Sequence, residues 1–313
     1  MEPAMNNEKN SLRIKLSVCM LLWGSIGLIT RYIGLSAFEL AFFRAFFALP
    51  VLFLSYRIRG SKGKTTYKVI LPYAASGMLI AIAWVALFLG YRYTTISTAV
   101  LVYNMCPVYV MILSPLLLKE KLDQFQVLTI IGCFFGLSLL IGTNSVVDKD
   151  AIKGISFAFL SGLLYAVVVL LNRKISLSSE LNTVDPVYAT FIQLCAATLV
   201  LLPYQITHNS FYTVIHLGLN QLFLLAVLGV VHTGFAYYFY FTTYRKLEAL
   251  EIVSFSFLEP LFGILLSVLF LGEHMGIGQL AGGVLILTLT YLNEYRKSRL
   301  AIRATVGEIE ACC

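Results

Sequence analysis

Ten stretches of nearly unbroken apolar residues punctuate this chain, at about 14–33, 39–56, 70–90, 97–118, 123–142, 154–172, 187–204, 221–243, 250–271 and 277–292. An α-helix needs about 20 such residues to cross the hydrocarbon of a bilayer, and most of these runs approach that length. The connections between them are short, and none is long enough to hold a soluble domain. The pattern therefore predicts an all-α integral membrane protein of ten transmembrane helices, with polar tails at 1–13 and 296–313. The first run is as long as a span and lacks a small-residue cleavage site, so it reads as a helix of the bundle and not as a cleaved signal.

The pattern also repeats. Residues 79–142 and 232–295 align without a gap at a spacing of 153, which sets Trp84 on Tyr237, Phe88 on Phe241, Tyr91-Arg92 on Tyr244-Arg245, Pro107 on Pro260, Glu120 on Glu273 and Gln126 on Gln279. Pro, Glu and Arg are scarce in apolar segments, so shared hydropathy alone does not produce this register. The earlier helices match more loosely: Arg44 aligns with Gln193 at a spacing of 149, and Trp23 only approximately with Tyr165. Five spans per copy is an odd number, which inserts the second copy upside down. The expectation is two inverted five-helix repeats, 14–142 and 154–292, a design of carriers that places the substrate site near the midplane between the repeats.

Composition agrees with a life in lipid. Hydrophobic residues make up 59% of the chain and charged residues 12%, at a mean hydropathy of +0.84, whereas a soluble domain carries roughly 25% charged residues. The formal net charge of +7 finds its explanation in topology. With the N-terminus in the cytoplasm, eighteen of the 23 Lys and Arg fall in cytoplasmic segments, Arg31, Arg92, Lys149 and Lys153 fall outside, and Arg44 alone lies within a span. That bias predicts a multi-pass protein of the cell membrane with both termini cytoplasmic. Glu120 then ends its helix on the cytoplasmic side and Glu273 on the outer side. The basic residues form no stripe interleaved with aromatics, so nucleic acid is not an expected partner.

Of the six cysteines, Cys19, Cys106, Cys133 and Cys195 lie in apolar runs as small packing residues, with no spacing that suits zinc. The terminal Cys312-Cys313 pair is similar to some prenylation signals, although an unmodified tail is the plainer reading for a chain already anchored many times. The Gly-Ser-Lys-Gly-Lys run at 60–64 lacks the spacing and context of a phosphate-binding loop, and there is no Gly-x-Ser-x-Gly elbow or His-rich metal cluster. No cofactor, metal or catalytic residue is expected. Pumping, if it occurs, has to be secondary.

Trp23-Gly24, Arg44, Gly90-Tyr91-Arg92-Tyr93-Thr94, Pro107 and Leu118-Lys119-Glu120 followed by Gln126 resemble the first repeat of an EamA-type protein. The run Gly229 to Tyr237, Leu258-Glu259-Pro260-Leu261-Phe262 and Leu271-Gly272-Glu273 followed by Gln279 and Gly282-Gly283 resemble the second. The chain is thus similar, over nearly its whole length, to ten-helix members of the drug/metabolite transporter superfamily. The resemblance implies a secondary transporter, an exporter of small organic metabolites such as amino acids or related amphipathic compounds, working by alternating access. Carriers of nucleosides, drugs or carboxylates share this frame and stand as the alternative; an integral membrane enzyme is the remote one. The partners implied are a small-molecule substrate and the lipid bilayer.

Polar groups that are expensive in hydrocarbon mark the candidate transport path. Glu259 sits about ten residues into the ninth span, near the midplane at roughly 1.5 Å per residue, where a carboxylate costs at least ~2.5–3.5 kcal/mol. It reads as a proton carrier, a ligand for a substrate amine, or a neutral acid bonded to a neighbouring helix. His232 is a candidate partner for it or a packing histidine. Pro107 and Pro260 remove helix bonds to the carbonyls of Tyr103 and Ser256, giving two possible backbone acceptors related by the 153 spacing; both prolines can equally serve only to kink. Asn104 adds a neutral donor and acceptor, and Gln193 a polar group at the depth of Arg44. Trp23, Trp84, Tyr103, Tyr165 and Tyr237 are placed near the centre. Arg44 lies roughly 7.5 Å inside the outer end of its helix, a depth that allows it either to snorkel to the headgroups or to meet a substrate carboxylate. Glu39, five residues before it, falls on a different face.

Overall fold

The computed structural model describes residues 2–60, 67–142, 149–177, 184–244 and 247–312; Lys62, Lys64, Arg245, Lys246 and Cys313 fall outside the described residues. The described residues form helices and turns with no strand. Their order is α1 (Glu2–Ile33), α2 (Ala37–Ile58), α3 (Tyr67–Tyr93), α4 (Ile96–Tyr103), α5 (Cys106–Leu118), α6 (Gln124–Gly142), α7 (Lys149–Ser176), α8 (Pro186–Thr207), the short α9 (Ser210–Ile215), α10 (Leu219–Gly229), a π-helical turn (Val230–Phe235), α11 (Ala236–Tyr244), α12 (Ala249–Ser256), α13 (Leu258–Leu271) and α14 (Ile277–Cys312). Nine helical stretches among the described residues are long and apolar enough to cross a membrane. The tenth apolar run, 277–292, opens the 36-residue α14, whose polar continuation begins at Asn293-Glu294 and dilutes its apolar character.

Local chemistry sets the helix ends. Ser36 caps α2 in a reciprocal box with Glu39: the Glu39 N–H donates to Ser36 Oγ at 3.3 Å, and the Ser36 N–H donates to Glu39 Oε2 at 2.8 Å. This is how the Glu39 carboxylate is satisfied while buried. Asp185 caps α8, where Pro186 occupies the first turn and gives up no needed hydrogen bond. Lys119 (φ 58°) and Gly272 (φ 64°) end α5 and α13 in the left-handed conformation.

Those two residues are 153 positions apart, and the same spacing relates further helix ends. α4 and α12 begin at Ile96 and Ala249, α5 and α13 end at Leu118 and Leu271, and α6 and α14 begin at Gln124 and Ile277. The fourth and ninth spans are both interrupted, at Asn104-Met105 and at Phe257. Gln126 Oε1 accepts from the Asp123 N–H at 2.9 Å, and Gln279 Oε1 accepts from the Gly276 N–H at 3.0 Å. The contacts pair in a matching way. α1 lies on α13 and α7 on α5, while α2 meets α8 and α6 meets α14.

With lipid on the outside, apolar burial gives helices little reason to associate, so they depend on close backbone approach at small residues. At Gly24 a Cβ would stand 2.6 Å from the Glu259 carbonyl, and at Gly263 another would stand 3.1 Å from the Gly24 carbonyl, which locks α1 to α13. The bundle's exterior is apolar: Leu116, Leu128, Phe223 and Phe270 are all more than 60% exposed to what is hydrocarbon in the membrane. Ion pairs gather at one end, where Arg13 meets Glu251, Arg173 meets Glu120 at 2.6 Å and Arg296 meets Asp123 at 2.9 Å.

Candidate functional site

A cavity of about 220 Å³ occupies the middle of the bundle. α1 brings Trp23 and Ile26 to it, α2 brings Arg44, and α3 brings Trp84, Leu87 and Tyr91. The interruption of the fourth span contributes Tyr103, Asn104, Cys106 and Pro107; α7, α11 and α13 contribute Tyr165, Tyr237 and Glu259. Breaking two spans at mid-depth is what brings Asn104 and Glu259 there, because irregular backbone at that depth is tolerated where it lines a cavity.

Arg44 does not snorkel. Its side chain turns into the protein and is 4% exposed; the guanidinium carbon lies 4.1 Å from the centre of the Trp84 ring, a favourable cation–π position. Nε donates to Thr233 Oγ1 at 2.9 Å. Thr233 belongs to the π-helical turn, where its hydroxyl donates to the Leu228 carbonyl at 2.9 Å. The chain approaches α2 at Gly229, the residue just before that turn, where a Cβ would stand 2.5 Å from Phe47 Cβ and 3.3 Å from the Arg44 carbonyl, and again at Gly234 within it, where a Cβ would stand 2.8 Å from Val51 Cβ. Among the described residues the two terminal guanidinium nitrogens have no protein acceptor, and Glu259 has no hydrogen-bond donor or ion-pair partner. The cavity thus holds one cation and one carboxyl that share a space without bridging each other.

Aromatic rings wall that space. Trp23 packs 5.2 Å from both Tyr237 and Tyr240, and Tyr103 packs 5.8 Å from Tyr165. Trp23 Nε1 donates to the His232 carbonyl at 3.0 Å, which fixes the indole against the π-helical turn.

Three sequence candidates lie elsewhere. Gln193 donates to Ser76 Oγ and to Asn172 Oδ1, each at 3.0 Å, and ties α8 to α3 and α7. His232 bonds Ser25 Oγ at 2.9 Å through Nε2 and the Val227 carbonyl at 3.2 Å through Nδ1, so both ring nitrogens are engaged away from Glu259. Ser256 donates to the Ile252 carbonyl at 2.8 Å and faces a second cavity. The proline expectation also changes form. Pro107 and Pro260 stand in the first turns of α5 and α13, after the breaks. The Tyr103 carbonyl lies against α7, since a Cβ at Gly162 would come within 3.0 Å of it.

The second cavity, of about 490 Å³, shares Asn104, Cys106 and Pro107 with the first and runs to Arg173, Glu294 and Lys297 at the ion-paired end. At the opposite end Arg31, Arg92, Glu273 and His274 line a hollow that has no residue in common with the central one, and a neighbouring hollow between the ends of α1, α2 and α3 shares Tyr91 alone with it.

A membrane-embedded bundle with broken helices around a central cavity, charged within and apolar outside, defines a membrane transport protein. The chain belongs to the EamA-like transporter family, whose model matches residues 14–142 and again 152–294. It is 28% identical to the uncharacterized transporter YxxF of Bacillus subtilis over 97% of both chains. It is 24% identical to the S-adenosylmethionine uptake transporter of Rickettsia prowazekii, covering 86% of this chain and 87% of that one. A solved crystal structure shares the fold at a TM-score of 0.60, with 18% identity and coverage of 93% of this chain and 99% of that one. The family and its named relatives identify the chain as a transporter and not an enzyme.

Proposed function

We propose that this protein is a secondary transporter of the cell membrane that exports small zwitterionic metabolites, amino acids and related amphipathic compounds, by alternating access. In this reading α14 supplies the tenth span, the five-helix halves 14–142 and 154–292 are inverted relative to each other, and both termini are cytoplasmic. The observation that carries it is the unbridged pair of Arg44 and Glu259 within one aromatic-walled cavity. A guanidinium fork with free N–H groups suits a carboxylate in bidentate fashion. A carboxyl among rings suits an amine, and the rings add surface for an apolar side chain. The helix ends repeated at a spacing of 153 support the inverted frame.

Glu259 also serves as the proton site, taking up a proton when no amine is bound. Charge at this depth is costly, so either partner is needed to neutralise it.

Counterflow in liposomes is the test. Vesicles loaded with an unlabelled amino acid accumulate the labelled compound transiently and chemically unchanged if the protein is a carrier. Failure with every zwitterion tried, alongside exchange of nucleosides or simple carboxylates, would transfer the site to those classes.

A second reading, uptake of S-adenosylmethionine, is favoured by the same geometry, since a sulfonium cation beside rings and a carboxylate beside a guanidinium fill the same two poles. Competition by that compound in the counterflow assay separates it from plain amino acids.

A further inference from the structure

Glu273 and Glu120 occupy equivalent places, 153 positions apart, yet they do different things. Glu273 closes one end of the bundle: its Oε1 accepts from the Ile96 N–H at 2.7 Å, and its Oε2 accepts from the Ser97 N–H at 3.0 Å and from Ser97 Oγ at 2.7 Å. It therefore sits on the N-terminus of α4, where the helix dipole and unpaired N–H groups favour an anion. Ser267 Oγ, from α13, is 2.6 Å from Ser97 Oγ and extends the same contact. The residue equivalent to Ile96 is Ala249, the first of α12. Glu120 does not cap it. Glu120 pairs with the half-exposed Arg173, and Glu248, which precedes α12, makes no side-chain capping bond.

Because α4 and α5 form one span, its start at Ile96 and the Glu120 that follows its end are at opposite faces. One face is thus latched by a carboxylate on a helix end. The other has the same carboxylate, the same helix end and no such latch, and on this face the second cavity shares Asn104, Cys106 and Pro107 with the central one, against Tyr91 alone on the latched face.

We infer that Glu273 and Glu120 are reciprocal gate latches: Glu273 on α4 holds the outer face shut in the state seen here, and Glu120 moves from Arg173 to the N-terminus of α12 when the inner face shuts. The inference rests on the alternating-access reading above. It also supplies something that reading needs. A carrier works only if its two states differ by a few kcal/mol at most, and exchanging one carboxylate–helix contact for an equivalent one keeps them close.

Cys106 lines both the central cavity and the second one, which makes it a natural reporter once the other five cysteines are replaced by alanine. Its modification rate by a membrane-impermeant thiosulfonate is measured in intact cells and in inverted vesicles. Wild type reacting from both faces is required by alternating access; reaction from one face only overturns that reading and the latch together. With both faces reactive, Glu273→Gln should raise the ratio of outer to inner rate about fivefold or more, the size expected of a partly buried charge at a helix end. Glu120→Gln should lower the ratio. Shifts in the same direction, or no shift in either, would overturn the latch alone.

A second test does not depend on those variants. Ser97→Cys with Ser267→Cys, oxidised to a cross-link, should stop counterflow, and reductant should restore it. Counterflow that persists in the cross-linked protein would show that this contact never opens.

Discussion

The fourth and ninth spans share a frame and differ in what they carry into the cavity. Both begin, break and end in register, Ile96–Leu118 against Ala249–Leu271. Yet Cys106 in one holds the place of Glu259 in the other, and both line the central cavity. The second spans behave alike: Arg44 reaches the cavity, while Gln193 is consumed by Ser76 and Asn172. Trp84 and Tyr237, by contrast, keep an aromatic ring on both sides. The helix ends and the Trp84 and Tyr237 rings recur at this spacing, whereas the two charges do not, nor does Tyr103, whose equivalent is Ser256. In the alternating-access cycle proposed above, such a frame lets the two states be nearly equivalent, and the single charges give the proposed site a polarity matched to a substrate with two different ends.

Making the halves more alike should cost the most. Arg44→Gln installs the residue found at 193, and losing a charge-assisted hydrogen bond is worth about 1.5–3 kcal/mol. Transport of carboxylate-bearing substrates should fall about 10- to 100-fold on that basis, measured as initial counterflow rate. A rate within twofold of wild type would mean that Arg44 stabilises the bundle and does not touch substrate.

Next in size is Glu259→Gln. One proton coupled to one substrate yields about tenfold accumulation per pH unit, and the variant should lose that accumulation while still exchanging substrate. Accumulation that survives in the variant places the proton elsewhere. If wild type itself ignores the gradient, Glu259 is a ligand alone.

The sequence revealed the frame and the rings better than the charges. Hydropathy located nine of the spans among the described residues because a membrane helix must satisfy its own backbone, and the spacing of Pro, Glu and Gln, residues rare in lipid, is the spacing at which helix ends recur. Trp23, Trp84, Tyr103, Asn104, Tyr165, Tyr237 and Glu259 lie around one cavity. Arg44 was ambiguous because depth permits both directions. What turns it inward is Thr233, presented by a π-helical turn whose only trace in the sequence is the pair Gly229 and Gly234. His232, Gln193 and Ser256 are polar and deep like Glu259; what separates the first two is that neighbours on other helices bond them, Ser25 for His232 and Ser76 and Asn172 for Gln193, which no single segment discloses, while Ser256 donates back to a carbonyl of its own helix. Ile26, Leu87, Tyr91 and Cys106 carry no mark that distinguishes a cavity wall from a helix contact.

Smaller effects follow from the duplicated parts. Trp84→Ala removes the ring under Arg44, a contact worth about 0.5–2 kcal/mol, and should weaken substrate binding several-fold while leaving membrane insertion intact. Wild-type binding in that variant would remove the ring from the site.

Least affected should be Asp123→Asn, at a capping position whose equivalent is Gly276. Against a small desolvation cost, the hydrogen bond and charge of Arg296 hold the Asp123 carboxyl below its ordinary value of 3.8. Its contribution to stability is present above that pH and is lost as pH falls through the lowered value. The variant should therefore melt slightly below wild type at pH 7 and match it in strong acid; a gap that widens on acidification would contradict the pairing.

Ligand stabilisation in detergent tests the two-charge reading most directly, with three compounds of one skeleton: an amino acid, its amide and its deaminated acid. The amino acid should raise the melting midpoint of wild type well above the shift given by the other two. In Arg44→Gln the advantage over the amide should vanish, and in Glu259→Gln the advantage over the deaminated acid should vanish. Equal stabilisation of wild type by all three, or variants that discriminate as wild type does, would contradict a site built to read a zwitterion.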